Sequence, residues 1–92
     1  MIPTELAITN VTYINNYQLL IKFNDGKEQL INFEPFLINH NHPDVKKYRE
    51  LRLFKSYSIT YGDLEWNDYE LCFPIADLYQ NQNIESKQTN VA

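Results

Sequence analysis

From Tyr17 to Phe33 the chain reads YQLLIKFNDGKEQLINF, two runs of alternating apolar and polar residues around Asn24-Asp25-Gly26. A period of two marks half-buried strands. With those three residues as the loop and Gly26 left-handed, Phe23 pairs with Lys27, Ile21 with Gln29, Leu19 with Ile31 and Tyr17 with Phe33. One face then collects most of the large apolar side chains. The other sets Lys22 across from Glu28 and Leu20 across from Leu30. A two-residue loop would mix apolar with polar partners, so the three-residue loop is expected.

The same alternation predicts a first strand within Leu6 to Ile14, with Val11 and Tyr13 on one face. A turn at Ile14-Asn15-Asn16 would place Tyr13 opposite Tyr17 and Val11 opposite Leu19, completing a three-stranded meander. Glu34-Pro35 ends the ladder, because proline has no N–H to give it. Phe36-Leu37-Ile38 suits one helical turn. After a polar loop, Asp44 can cap a helix whose apolar positions Val45, Tyr48 and Leu51 face the sheet. Leu53-Phe54 closes that segment with a tight turn.

Further on, Tyr57, Ile59 and Tyr61 alternate with Ser58 and Thr60. Gly62-Asp63 has the glycine-first pattern of a type II′ turn, which would pair Tyr61 with Leu64 and Ile59 with Trp66. Asn67-Asp68 predicts another turn, with Tyr69, Leu71, Phe73 and Ile75 continuing the apolar face, and Asp77-Leu78-Tyr79 a last turn packing back. The expected fold is α+β: antiparallel hairpins and a meander, with one short helix packed on the sheet. Residues 1–80 form a single domain in this reading, and 81–92 a polar, disordered tail.

Composition narrows the function classes. Apolar residues make up 43% of the 92, enough to build a core without staples. The formal net charge of −4 works against phosphate backbones and suits a basic partner. One cysteine, Cys72, forms no internal disulfide, which points to a reducing compartment. No leader pattern and no membrane-length apolar run is visible, so the expected location is the cytoplasm.

Candidate chemistry is sparse. His40, His42 and Asp44 are the one cluster with metal-ligand residue types, but no convincing fourth ligand accompanies them, so no metal and no cofactor is expected. Cys72 lies on a strand without a neighbouring base in sequence. Asp63, Glu65, Asp68 and Glu70 are read as turn and edge residues, or as an acidic patch for a basic protein. Tyr57, Tyr61, Asp63, Glu65 and Trp66 are the candidate partner-binding residues. Lys46, Lys47, Arg49 and Arg52, with Lys55, form a basic cluster. It is the alternative site, for phosphate contact by a nucleic-acid-associated regulator, although no helix-turn-helix pattern accompanies it. No phosphate loop and no nucleophile motif is present, so catalysis is not expected.

Val11, Tyr17-x-Leu19-x-Ile21-x-Phe23-x-Asp25-Gly26, Ile31-Asn32-Phe33, Leu51-x-x-Phe54, the Ile59 strand, Gly62-Asp63-Leu64-Glu65-Trp66 and Leu78-Tyr79 follow one another in an order that resembles the bacterial domain of unknown function 2442 family. Asn32 stands where that family more often has aspartate, and Asn67-Asp68 replaces its usual Pro-x-Gly turn. The resemblance implies a small α+β domain without known catalytic residues. It also implies a role as the antitoxin-like half of a two-gene module. Its partner would be a small, toxin-like protein encoded by the neighbouring gene, held by direct protein contact. A sheet edge left open would also allow a homodimer.

Overall fold

The computed structural model describes residues 5–82 and residue 84. The strands form two three-stranded antiparallel sheets. The first is a meander of β1 (Ile8–Tyr13), β2 (Gln18–Phe23) and β3 (Glu28–Asn32). The second is β4 (Ser58–Thr60), β5 (Asp63–Trp66) and β6 (Leu71–Cys72). Between them run α1 (Glu34–Asn39), α2 (Pro43–Lys46), a 3₁₀ turn (Lys47–Arg49) and α3 (Leu51–Phe54), and α4 (Ile75–Gln80) follows β6. The fold is α+β, with several one-turn helices in place of one.

The central hairpin has the expected register, Leu19 opposite Ile31, Ile21 opposite Gln29 and Lys22 opposite Glu28. Gly26 is left-handed, at φ +95°. Strand β1 is offset by two residues from expectation: Val11 lies opposite Ile21 and Tyr13 opposite Leu19. The reason is that Asn16 and Tyr17 both take positive φ, so Tyr17 belongs to the turn. A bulge between Ile8 and Asn10 lets Ile8, three positions from Val11, lie opposite Phe23 and join the core.

The second hairpin is also offset by two. Thr60 pairs with Asp63 and Ile59 with Leu64, so the two-residue loop is Tyr61-Gly62. Its φ angles, +52° and +83°, are the positive pair of a type I′ turn. The two sheets meet here. Ile8 donates its N–H to the Gly62 carbonyl at 2.9 Å, and a Cβ on Gly62 would lie 2.8 Å from that of Ala7.

The predicted helix from Asp44 is broken. Its N-cap is His42, whose Nδ1 accepts the Asp44 N–H at 3.1 Å, and Glu50 is extended (φ −73°, ψ +116°). Tyr48 is buried, but the break leaves Leu51 exposed and seats Phe54 instead. Arg49 closes the segment onto α1. Its Nε donates to the Leu37 carbonyl at 2.7 Å and its Nη2 to those of Ile38 and His40 at 2.9 and 3.0 Å. Those carbonyls end a helix with no partner of its own for them.

Trp66 is the centre of the core, ringed by Phe33, Tyr48, Phe54, Tyr57 and Phe73 at centroid distances of 5.7–6.3 Å. Its Nε1 donates to the Phe54 carbonyl at 2.7 Å. Helix α4 covers the free side of β3: Gln29 Nε2 donates to the Tyr79 carbonyl, and the Tyr79 hydroxyl to Asp25 Oδ2. Ile84 is also buried, four residues past the expected domain boundary, while residues 83 and 85–92 of the expected tail lie outside the described residues.

Candidate functional site

The second sheet and its turns carry the candidate partner-binding residues but treat them differently. Trp66 is fully buried and Glu65 is buried beside it in sequence, so neither offers its side chain to a partner. This corrects their expected role. The indole is enclosed by Phe33, Tyr48, Phe54, Tyr57 and Phe73. The Glu65 carboxylate is spoken for, accepting the Tyr69 N–H at 2.9 Å and the Thr60 hydroxyl at 2.8 Å, and these bonds hold it below the usual carboxylate range. Tyr57 is half-buried against Trp66, with its hydroxyl on the Val11 carbonyl at 3.3 Å. Tyr61 and Asp63 remain at the tip.

Tyr61 is 97% exposed. Below it, Asn67, Asp68 and Tyr69 take positive φ in succession, +52°, +56° and +67°. Each left-handed non-glycine residue costs roughly 1–2 kcal/mol, with asparagine and aspartate at the cheaper end. The turn returns part of that cost through its side chains. The Tyr69 hydroxyl donates to the Thr60 carbonyl at 3.0 Å and lies 3.3 Å from Asp63 Oδ2. Burial and that carboxylate push the Tyr69 phenol up. Sequence reasoning placed Tyr69 on a strand. No signal in the chain marks a tyrosine for a left-handed turn.

Glu70 ends the turn and is tightly held. Lys47 Nζ (2.7 Å), the Tyr48 hydroxyl (2.7 Å) and Asn67 Nδ2 (3.1 Å) all reach its Oε1. Lys47 foremost, then Asn67 and Tyr48, bring this carboxylate down to about 2. Burial, then Glu70, pushes the Tyr48 phenol up. An open cleft of about 430 Å³ lies alongside, lined by Lys47, Tyr48, Leu53, Ser58, Asn67 and Asp68. No histidine or cysteine is among the residues lining it.

The basic cluster is divided by the fold. Arg49 staples α1, Lys47 pairs with Glu70, and Lys55 Nζ sits 5.0 Å over the Tyr13 ring, leaving Lys46 and Arg52 exposed. His40 Nδ1 donates to the Phe36 carbonyl at 2.9 Å, and its ring stacks on the Phe36 ring. His42 caps α2, 4.0 Å from Asp44 Oδ2. Among the described residues no group of three or more histidine, cysteine, aspartate or glutamate side chains is placed to hold a metal ion. Cys72 is exposed on β6. No helix among the described residues is long and apolar enough to cross a membrane.

Charge is unevenly distributed along the chain. From Ser56 to Gln82 there is no lysine or arginine, against five carboxylates, Asp63, Glu65, Asp68, Glu70 and Asp77. The second sheet is therefore acidic, and among the described residues Lys47 reaches across to pair with Glu70.

A family model described as "Protein of unknown function (DUF2442)" matches residues 8–84. No curated protein and no solved structure matches the chain.

Proposed function

The chain belongs to the DUF2442 family, and from that premise we propose that it is a non-catalytic, cytoplasmic protein-interaction domain, the antitoxin-like half of a two-gene module. It acts by direct contact with a small basic protein encoded beside it. The observation that carries this reading is the charge segregation. A stretch of 27 residues without a cation builds one whole sheet and leaves Tyr61, Asp68 and Tyr69 exposed on its turns. Such a surface complements a basic protein and repels nucleic acid. The alternative, a regulator contacting phosphate through Lys46, Lys47, Arg49 and Arg52, is less well supported. Lys47 and Arg49 already have partners within the fold. The test is growth. Expression of the neighbouring protein alone should inhibit it and co-expression of this chain should restore it. Steeply salt-dependent binding of the purified chain to DNA or RNA would favour the alternative instead.

A further inference from the structure

Three tyrosines, Tyr17, Tyr61 and Tyr69, adopt positive φ. Two of them recover the strain through their rings. Tyr17 donates its hydroxyl to the Arg49 carbonyl at 2.5 Å and packs edge-on against Phe54. Tyr69 ties β4 to its own turn. Among the described residues Tyr61 has no hydrogen bond and no ring contact, and it is almost wholly in solvent. A large aromatic side chain thus occupies a strained position where asparagine before glycine is the natural choice, and gives the fold nothing in return.

Cation pairing adds an independent observation. Lysines sit over three tyrosine rings of this chain: Lys27 over Tyr79 at 4.2 Å, Lys55 over Tyr13 at 5.0 Å and Lys47 over Tyr48 at 5.5 Å. The ring of Tyr61 has no such cover. It lies in the stretch without lysine or arginine, two residues from the Asp63 carboxylate. Its mount is firm, because Gly62 is hydrogen-bonded to Ile8 and seated against Ala7. With the backbone seated, binding has only the two side-chain torsions of the tyrosine left to fix.

We propose that Tyr61 is the anchor through which this chain holds its basic partner, its ring receiving an arginine or lysine side chain while Asp63 supplies the neighbouring carboxylate. This rests on the interaction reading above and adds the contact and its chemistry. An arginine stacks on the ring face and reaches a carboxylate with the same group, so it is the better fit of the two.

The test uses the full chain carrying Tyr61→Asn or Tyr61→Phe and the protein encoded by the neighbouring gene. Y61N should melt at or above the wild-type temperature and bind the neighbour at least about ten-fold more weakly, while Y61F keeps most of the affinity. A lower melting temperature for Y61N would assign the ring to the fold and overturn the proposal. Equal binding by Y61N and wild type, or Y61F failing as badly as Y61N, would overturn the anchor and leave the interaction reading standing. A wild-type chain that does not bind the neighbour would overturn both.

Discussion

Gly62 lies so close to Ala7 that a Cβ added to it would be 2.8 Å from the Ala7 Cβ and 3.4 Å from the Ala7 Cα. This approach seals the two sheets together, and the neighbouring Ile8–Gly62 hydrogen bond fixes it. The other glycine, Gly26, is equally left-handed, but a Cβ there would meet nothing within 4 Å. The two positions separate backbone strain from steric contact. Gly26→Ala should cost about 1 kcal/mol, the conformational term alone. Gly62→Ala should cost clearly more, since the sheets must part to admit the methyl group. Urea unfolding of the two variants measures the difference.

Acid should loosen the Asn67–Glu70 turn. A depressed carboxylate pKa contributes stability that is complete above its unfolded value, near 4.5, and is lost as the pH falls through about 2. Wild type should therefore lose stability between those values through Glu70. In Glu70→Gln that part of the pH dependence should disappear. Denaturant midpoints measured across the interval test this.

Arg49 is expected to behave as a structural residue. Lysine keeps the charge but cannot place planar donors on three carbonyls at once. Arg49→Lys should lower stability by about 1–3 kcal/mol, the cost of leaving helix-end carbonyls unpaired, as read from thermal melts.

Trp66 is the single tryptophan and is fully buried. Its fluorescence should be blue-shifted and poorly quenched by acrylamide in the native chain. Both properties should persist when a partner binds, because the indole is no part of the surface. Quenching that changes on binding would place Trp66 at the interface after all.

Much of the fold is legible in the residues. The Tyr17–Phe33 hairpin follows from alternation and one glycine, and its register is as expected. The flanking hairpins show what alternation cannot fix. Both are offset by two residues, an even number, so Val11, Ile59, Leu64 and Trp66 keep their faces while their partners change. In each case the left-handed positions fall on Asn16-Tyr17 or Tyr61, where a side chain normally argues against positive φ. The long middle helix fails for a different reason. Leu51 and Phe54 compete for the core, and breaking the helix at Glu50 lets the larger ring win. At the site, Tyr61 moves from the expected strand into the turn and Asp63 from the expected turn onto the strand. The burial of Glu65 and Trp66 is not legible there, because alternation gives a residue's face but not what covers that face.

We propose that this chain binds the small basic protein encoded beside it. The direct measurement is to co-express the two and purify through a tag on this chain alone. A stoichiometric complex that survives a high-salt wash is the predicted result. Recovery of this chain by itself, from cells in which the neighbour is soluble, would contradict it.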